Sequence, residues 1–356
     1  MINQKERLNA LLFLEFNREK AGEIFYSKNL TDSKDELYVP INTDFLVRKI
    51  TSNEVPTDLP ISEFIVGMAY AIALDPDFTF APEYLTMLKG YGASELILKK
   101  KISELYDEGK MVESFILLNG LYAVTGDEET ENILLSTGEE LALKDPDWMT
   151  EVLNLTDIAI ENGNINGYLI QGSLKSAQGL ESDALSALKS YIAEGGERSE
   201  AVVTRIEELD RNTKAEDAYG NVYEDPKESL KTLLELYPRE QDNPKLIYSI
   251  AVCYRLLGNH EKAIFYLEEA QSLDPGFFDV LNELGLNYAL IDDYATARDY
   301  FQAVFEATKE FGPMTNLIIS LFNVGEGDKA EELYRQAMEV RPDDEILAEI
   351  KRAYLE

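Results

Sequence analysis

One cysteine, one histidine and one tryptophan are all that this chain of 356 residues holds of three side chains on which many functional sites depend. A lone Cys253 excludes a disulfide framework within the chain, which fits a reducing compartment. A lone His260 leaves nucleophile–base catalysis without its usual proton carrier, and no His/Cys cluster exists to hold zinc. Basic residues are scarce too: 33 Lys and Arg stand against 67 Asp and Glu, a formal net charge of −34. Such a field repels phosphate backbones and anionic headgroups, so nucleic acids and membrane surfaces are poor partners and basic proteins or cationic peptides are better ones. Long apolar runs are missing as well. The strongly apolar, uncharged stretch "FIVGMAYAIAL" from Phe64 to Leu74 is too short to cross a bilayer core of about 30 Å, and Glu15 and Arg18 interrupt the N-terminal run that a secretory signal would need. The expectation is a soluble, cytoplasmic chain.

Phosphate-cradling glycine patterns (GxxxxGK[ST], GxGxxG) are also lacking, and "DEETENILLSTGEE" does not place oxygen ligands and a turn glycine as a calcium loop requires. The repeated "DPD" at Asp75–Asp77 and Asp145–Asp147 reads as a helix stop followed by an N-cap, not as paired catalytic carboxylates. Cys253 reads as a small apolar core residue and His260 as a polar turn residue. No catalytic residue, metal or cofactor is expected.

What is present is acid on a helical period. Residues 101–210 hold 7 basic and 23 acidic side chains, and 211–356 hold 15 and 29. From Asp127 to Glu161 eleven acids accompany the single Lys144, interleaved with Leu, Ile and Val at helical spacing, which marks solvated faces of packed helices.

A second period is longer. Gly258–Ala263 reads GNHEKA, Asp292–Ala297 reads DDYATA and Gly325–Ala330 reads GEGDKA, the alanines falling 34 and then 33 residues apart. Tyr254 aligns with Tyr288 and Leu321, and Leu267 with Phe301 and Tyr334; Pro275 and Pro342 close the helices that follow the turns. Ala251, Gly285, Ala263, Ala297 and Ala330 are small where two helices must approach closely. These positions resemble the tetratricopeptide repeat family, whose unit is a helix–turn–helix of 34 residues. The resemblance is strong over 244–342 in units 244–277, 278–310 and 311–342. It departs from the family pattern at Ile318, where a small residue is usual, at Val304 in place of Ala, and in lacking the family's tryptophan.

Upstream the pattern weakens without vanishing. Tyr168, Gly172, Gly179 and Ala184 stand at the family's spacing, and Gly109 and Ser114 repeat part of it 70 residues earlier. About seven helical hairpins are expected from residue 94 onward, with 211–224 as an enlarged loop and 343–356 as a capping helix. The expected organisation is therefore an N-terminal helical region over 1–93 with an irregular loop around Pro40, Pro56 and Pro60, degenerate repeats over 94–210, and a repeat domain over 211–356. A helix is expected at about 4–24. The fold class is all-α: a superhelical solenoid of stacked hairpins.

The resemblance implies a function. Repeats of this family generally bind a peptide or partner helix on the concave face lined by their first helices. Carried onto this sequence, the inward positions are Tyr248, Val252, Arg255 and Leu256 in the first clear unit. The second offers Asn282, Leu286, Ala289 and Leu290, and the third Thr315, Ile319, Phe322 and Asn323. The family's carboxylate clamp of Lys and Asn is not met: Tyr248, Val252, Glu283, Gly312 and Asn316 stand at its positions, so binding of chaperone-type C-terminal tails is not expected. An apolar or amphipathic ligand suits the lining better, with Arg255 available to anchor one acidic group. The expected role is a non-catalytic protein–protein interaction scaffold. The alternative is a peptide-responsive regulator acting on a partner protein, and an enzyme ranks below both.

Overall fold

Helices are short, paired and joined by tight turns through most of the chain. The computed structural model describes residues 4–26, 36–43 and 59–356. They divide into two compact units, Met1–Leu209 and Asp210–Glu356, and the division falls within one long helix.

The first unit begins differently from the helix expected over 4–24. A 3-10 turn at Gln4–Ala10 leads into strand β1 (Leu11–Phe16), and helix α1 (Arg18–Ile24) follows. Strand β2 (Leu37–Asn42) pairs with β1 antiparallel, Leu11 opposite Asn42 and Phe16 opposite Leu37. The physical reason is alternation on the second strand: Leu37, Val39 and Ile41 are all fully buried, a period of two that a helix would scatter over its surface. Pro40 sits within this ribbon, where its missing N–H costs little on a two-stranded edge. Pro56 and the rest of the expected irregular loop lie outside the described residues.

Helix α2 (Ile61–Leu74) is the centre of this unit, buried continuously from Phe64 to Leu74. The apolar run is thus a core helix, and among the described residues no helix is long and apolar enough to cross a membrane. Two glycines set how closely its neighbours approach. A Cβ on Gly67 would lie 2.2 Å from the Pro40 carbonyl oxygen, and one on Gly120 would lie 2.3 Å from that of Ala69. Around α2 stand α3 (Ala81–Gly90), α4 (Ser94–Asp107) and α5 (Met111–Thr125).

From residue 94 the chain runs in antiparallel pairs. In the first unit α4 packs on α5, α6 (Glu128–Lys144) on α7 (Met149–Glu161), and α8 (Asn166–Ala177) on α9 (Glu181–Ala193). Asp127 caps α6 by accepting from the Thr130 amide and hydroxyl, and the nearby Thr125 side chain together with these donors holds its carboxyl down at about 2. Between α6 and α7, Asp145 caps the short turn through Trp148, whose ring is 1% exposed against Phe115. Gly172 lies against Leu188 and Ala184 is fully buried.

Of residues 211–224, expected as an enlarged loop, 211–220 are helical and 221–224 form a turn. Glu200–Gly220 is one continuous helix, α10, because neither glycine nor proline interrupts it before Gly220 and because Ala218 is buried near its end. In the second unit α11 (Pro226–Leu236) packs on α12 (Pro244–Leu256). Three hairpins follow: α12 with α13 (His260–Leu273), α14 (Phe278–Leu290) with α15 (Tyr294–Thr308), and α16 (Phe311–Asn323) with α17 (Gly327–Val340). The fold is therefore all-α apart from the small β ribbon, built as stacked helical hairpins. A last helix, α18 (Glu345–Ile350), buries Leu347 and Ile350 against the final hairpin and runs into a π-helical turn at Lys351–Leu355.

Candidate functional site

The three hairpins of 244–342 are joined by one recurring device. Ala263, Ala297 and Ala330 are each fully buried, so the second helix of every pair meets its neighbours without a side chain to hold it off. Gly285 lies against the Phe301 ring, itself 1% exposed; burying a Phe contributes about 1.5–3 kcal/mol. Gly258 and Gly325 end first helices in the left-handed region, with φ of 76° and 81°, and Asp292 does the same at 64° with a side chain attached. The next residue caps the second helix: Asn259 accepts from the Lys262 amide and Asp293 from the Thr296 amide.

A tyrosine pair recurs that the spacing of the first helices alone did not disclose. Tyr254 stacks on Tyr266 at 5.5 Å, and Tyr288 on Tyr300 at 5.8 Å. Each member lies 34 residues from its counterpart, a signal that comparison of the second helices would have found.

The first helices α12, α14 and α16 adjoin in that order, and they carry the twelve residues expected to line a binding face. Val252 and Thr315 do not line it. Each is 1% exposed: Val252 packs with Leu233 and Leu236 from α11, and the Thr315 hydroxyl donates to the Gly312 carbonyl at 2.8 Å. Tyr248 is half-buried with its ring 5.2 Å from Phe277, and burial pushes its phenol well above the ordinary range. Leu286, Ala289, Ile319 and Phe322 are brought together, half-buried, against the core of the last hairpins.

Arg255 is already engaged. Its Nε donates to Glu283 Oε2 at 2.6 Å and its Nη2 to Oε1 at 3.3 Å, the two side chains being 18% and 6% exposed. Burial pushes the Glu283 carboxyl up, and the guanidinium opposes it. The pair thus ties α12 to α14, and an acidic ligand group would have to compete with a buried carboxylate. Asn282 is half-buried and its Oδ1 is shielded without a hydrogen-bond partner.

Leu256 and Leu290 remain open, at 37% and 55% exposure, beside Leu257 at 45% and Ile291 at 43%. These four sit at matching ends of α12 and α14. At the third unit the face is covered by the chain's own last turn: the Tyr354 ring stacks on Phe322 at 4.9 Å, and Asn323 Nδ2 donates to the Tyr354 hydroxyl at 2.8 Å.

Neither chemistry-bearing side chain is poised to react. Cys253 is fully buried, which pushes its thiol up to about 11. His260 is half-buried at the start of α13, its Nδ1 3.2 Å from Asn287 Oδ1, rather than an exposed turn residue.

Residues 244–277, the hairpin of α12 and α13, match the family model of the tetratricopeptide repeat. The chain carries a tetratricopeptide repeat. Over 140 residues, 38% of the chain, it is 28% identical to the BBSome complex member BBS4 of Mus musculus, and this region spans 26% of that protein's length. Solved structures similar to it include MamA, at 16% identity and TM-score 0.37 over 53% of this chain and 94% of that one. Another is TTC0263, a thermophilic tetratricopeptide repeat protein of Thermus thermophilus, at 18% identity and TM-score 0.32 over 54% and 98%.

Proposed function

We propose that this chain is a non-catalytic interaction scaffold that holds a peptide or helix of a partner protein on the first-helix face of its tetratricopeptide repeat region. The observation that carries this reading is the matched exposure of Leu256 and Leu290, 34 residues apart at the same place in successive units. Apolar side chains scattered singly over a surface need no explanation, whereas a regular row next to a packed core gives a partner side chain somewhere to be buried. The buried thiol and the occupied imidazole argue against nucleophilic chemistry. Membership of its mouse relative in a complex accords with a role in assembly. With Tyr354 over Phe322 and Asn323, the surface offered to a partner is centred on α12 and α14.

Affinity capture from lysate tests the reading, comparing wild type with a Leu256→Glu, Leu290→Glu double variant. Both positions are exposed, so the variant should melt with the wild type. A protein captured by wild type and lost, tenfold or more, by the variant is the expected result; identical captures would remove this face from consideration.

A further inference from the structure

A second groove lies in the other unit, far in sequence from the repeat that matches the family. It is a cavity of about 1050 Å³ walled by α4 and α6, with α5 as its floor. Leu118 and Leu121 form the base, Ile102 and Tyr106 one wall, and Ile133 the other. Ile133 and Tyr106 are both 48% exposed, so large apolar surface faces the opening. Along α6 the lining runs from Glu128 to Glu140, about 18 Å at 1.5 Å per residue.

The lining is acidic on balance, with Glu128, Glu129 and Glu140 against Lys99. Glu128 and Glu129 are exposed at one end of the groove. On the opposite wall Lys99 is held by Glu95 at 2.7 Å and also feels the charges of Glu129 and Asp127, and Lys144 beyond the far end is held by Glu140 at 2.7 Å. A second copy of a chain with net charge −34 would bring more acid to an acidic rim, which disfavours self-association there.

Several polar groups of the groove are already used. The Tyr106 hydroxyl donates to Glu140 at 3.0 Å and the Thr130 hydroxyl to Asp127 at 2.9 Å. Asn132 Oδ1 accepts from Asn164 at 2.9 Å and from Asn166 at 3.0 Å. An extended peptide laid here would bury backbone groups with few partners, whereas a helix satisfies its own. Helical anchors at i, i+4, i+7 and i+11 span about 16 Å, which the groove accommodates.

We infer that this groove is a docking site for one basic amphipathic helix of a partner protein, its apolar stripe on Ile133 and the Tyr106 ring above the buried base of Leu118 and Leu121, and its cationic flank toward Glu128 and Glu129. The site belongs to the first unit and does not depend on the first-helix face of residues 244–342.

The probe is a fluorescein-labelled 16-residue peptide with Leu at four positions spaced i, i+4, i+7, i+11 and Lys and Ala elsewhere, titrated by anisotropy against the full chain. Two control peptides share its length: one has Glu in place of Lys, the other has the leucines shuffled off the stripe. Ile133→Lys is compared with Phe265→Lys, which adds the same charge at an exposed position of the other unit. Ile133→Lys is expected to weaken binding at least tenfold and Phe265→Lys less than twofold, with both control peptides at least tenfold weaker than the probe. Should Ile133→Lys melt early, Ser136→Lys on the same exposed rim replaces it. Equal effects of the two lysine variants, equal binding of the shuffled peptide, or no binding of the probe overturns the proposal. A wild-type dimer in sedimentation that Ile133→Lys dissolves overturns it in favour of a second copy.

Discussion

Asp292 shows how one residue can be read twice. It aligns with Gly258 and Gly325, adopts the same left-handed turn at φ 64°, and hands the chain to the capping Asp293. An L-residue in that region carries a conformational cost that glycine avoids. Asp292→Gly is therefore expected to stabilise the second unit by up to about 1 kcal/mol, a rise in melting temperature of about 2–4 °C. Calorimetry of the variant checks it, and a fall would show that the carboxylate matters more than the turn. At this scale the buried alanines were legible because identical residues recur at a fixed spacing. Arg255 was not. Its position on an inward face was readable, but its partner Glu283 lies on the next first helix, 28 residues away, at an offset unrelated to the repeat period. Val252 was misplaced for a similar reason: its neighbours Leu233 and Leu236 belong to α11, where the repeat pattern is faint.

At the scale of elements the hairpin is the unit of stability, and its tightest point is the small residue of the second helix. Ala297 is fully buried in the same core as Met314 and Ile318. Ala297→Glu is expected to destabilise the unit by about 3–5 kcal/mol, because it would bury an unpaired charge where no volume is free. Denaturant unfolding measures this, and an unchanged midpoint would place the residue elsewhere in the helix pair. Helices were readable wherever their apolar spacing and their caps agreed. The two departures share a cause in non-local context. β1 and β2 pair across an intervening helix, which a helical period cannot report, and α10 continues through 211–220 because nothing local stops it.

For the molecule as a whole, acid excess and repeat architecture bear on function together. The acids lie on helices whose opposite faces build the cores. The candidate face was legible in the sequence as a set of positions, through resemblance to a family. Which of those positions stay open was not, because it depends on burial by α11 and on the last turn of the chain. Tyr354 lies 31 residues beyond Asn323 and 32 beyond Phe322, and nothing in the repeat pattern announces that contact. Covering of the third unit leaves Leu256 and Leu290 as the surface on which the proposed role depends.

Site-specific photocrosslinking tests that role most directly. Leu290→p-benzoylphenylalanine and Phe265→p-benzoylphenylalanine place the same reactive group on a first helix and on the outward side of a second helix, at positions 55% and 62% exposed. In lysate, position 290 is predicted to form a discrete crosslinked species with a captured protein while position 265 forms none. A crosslink from position 265 alone, or equal crosslinks from both, would contradict recognition on the first-helix face.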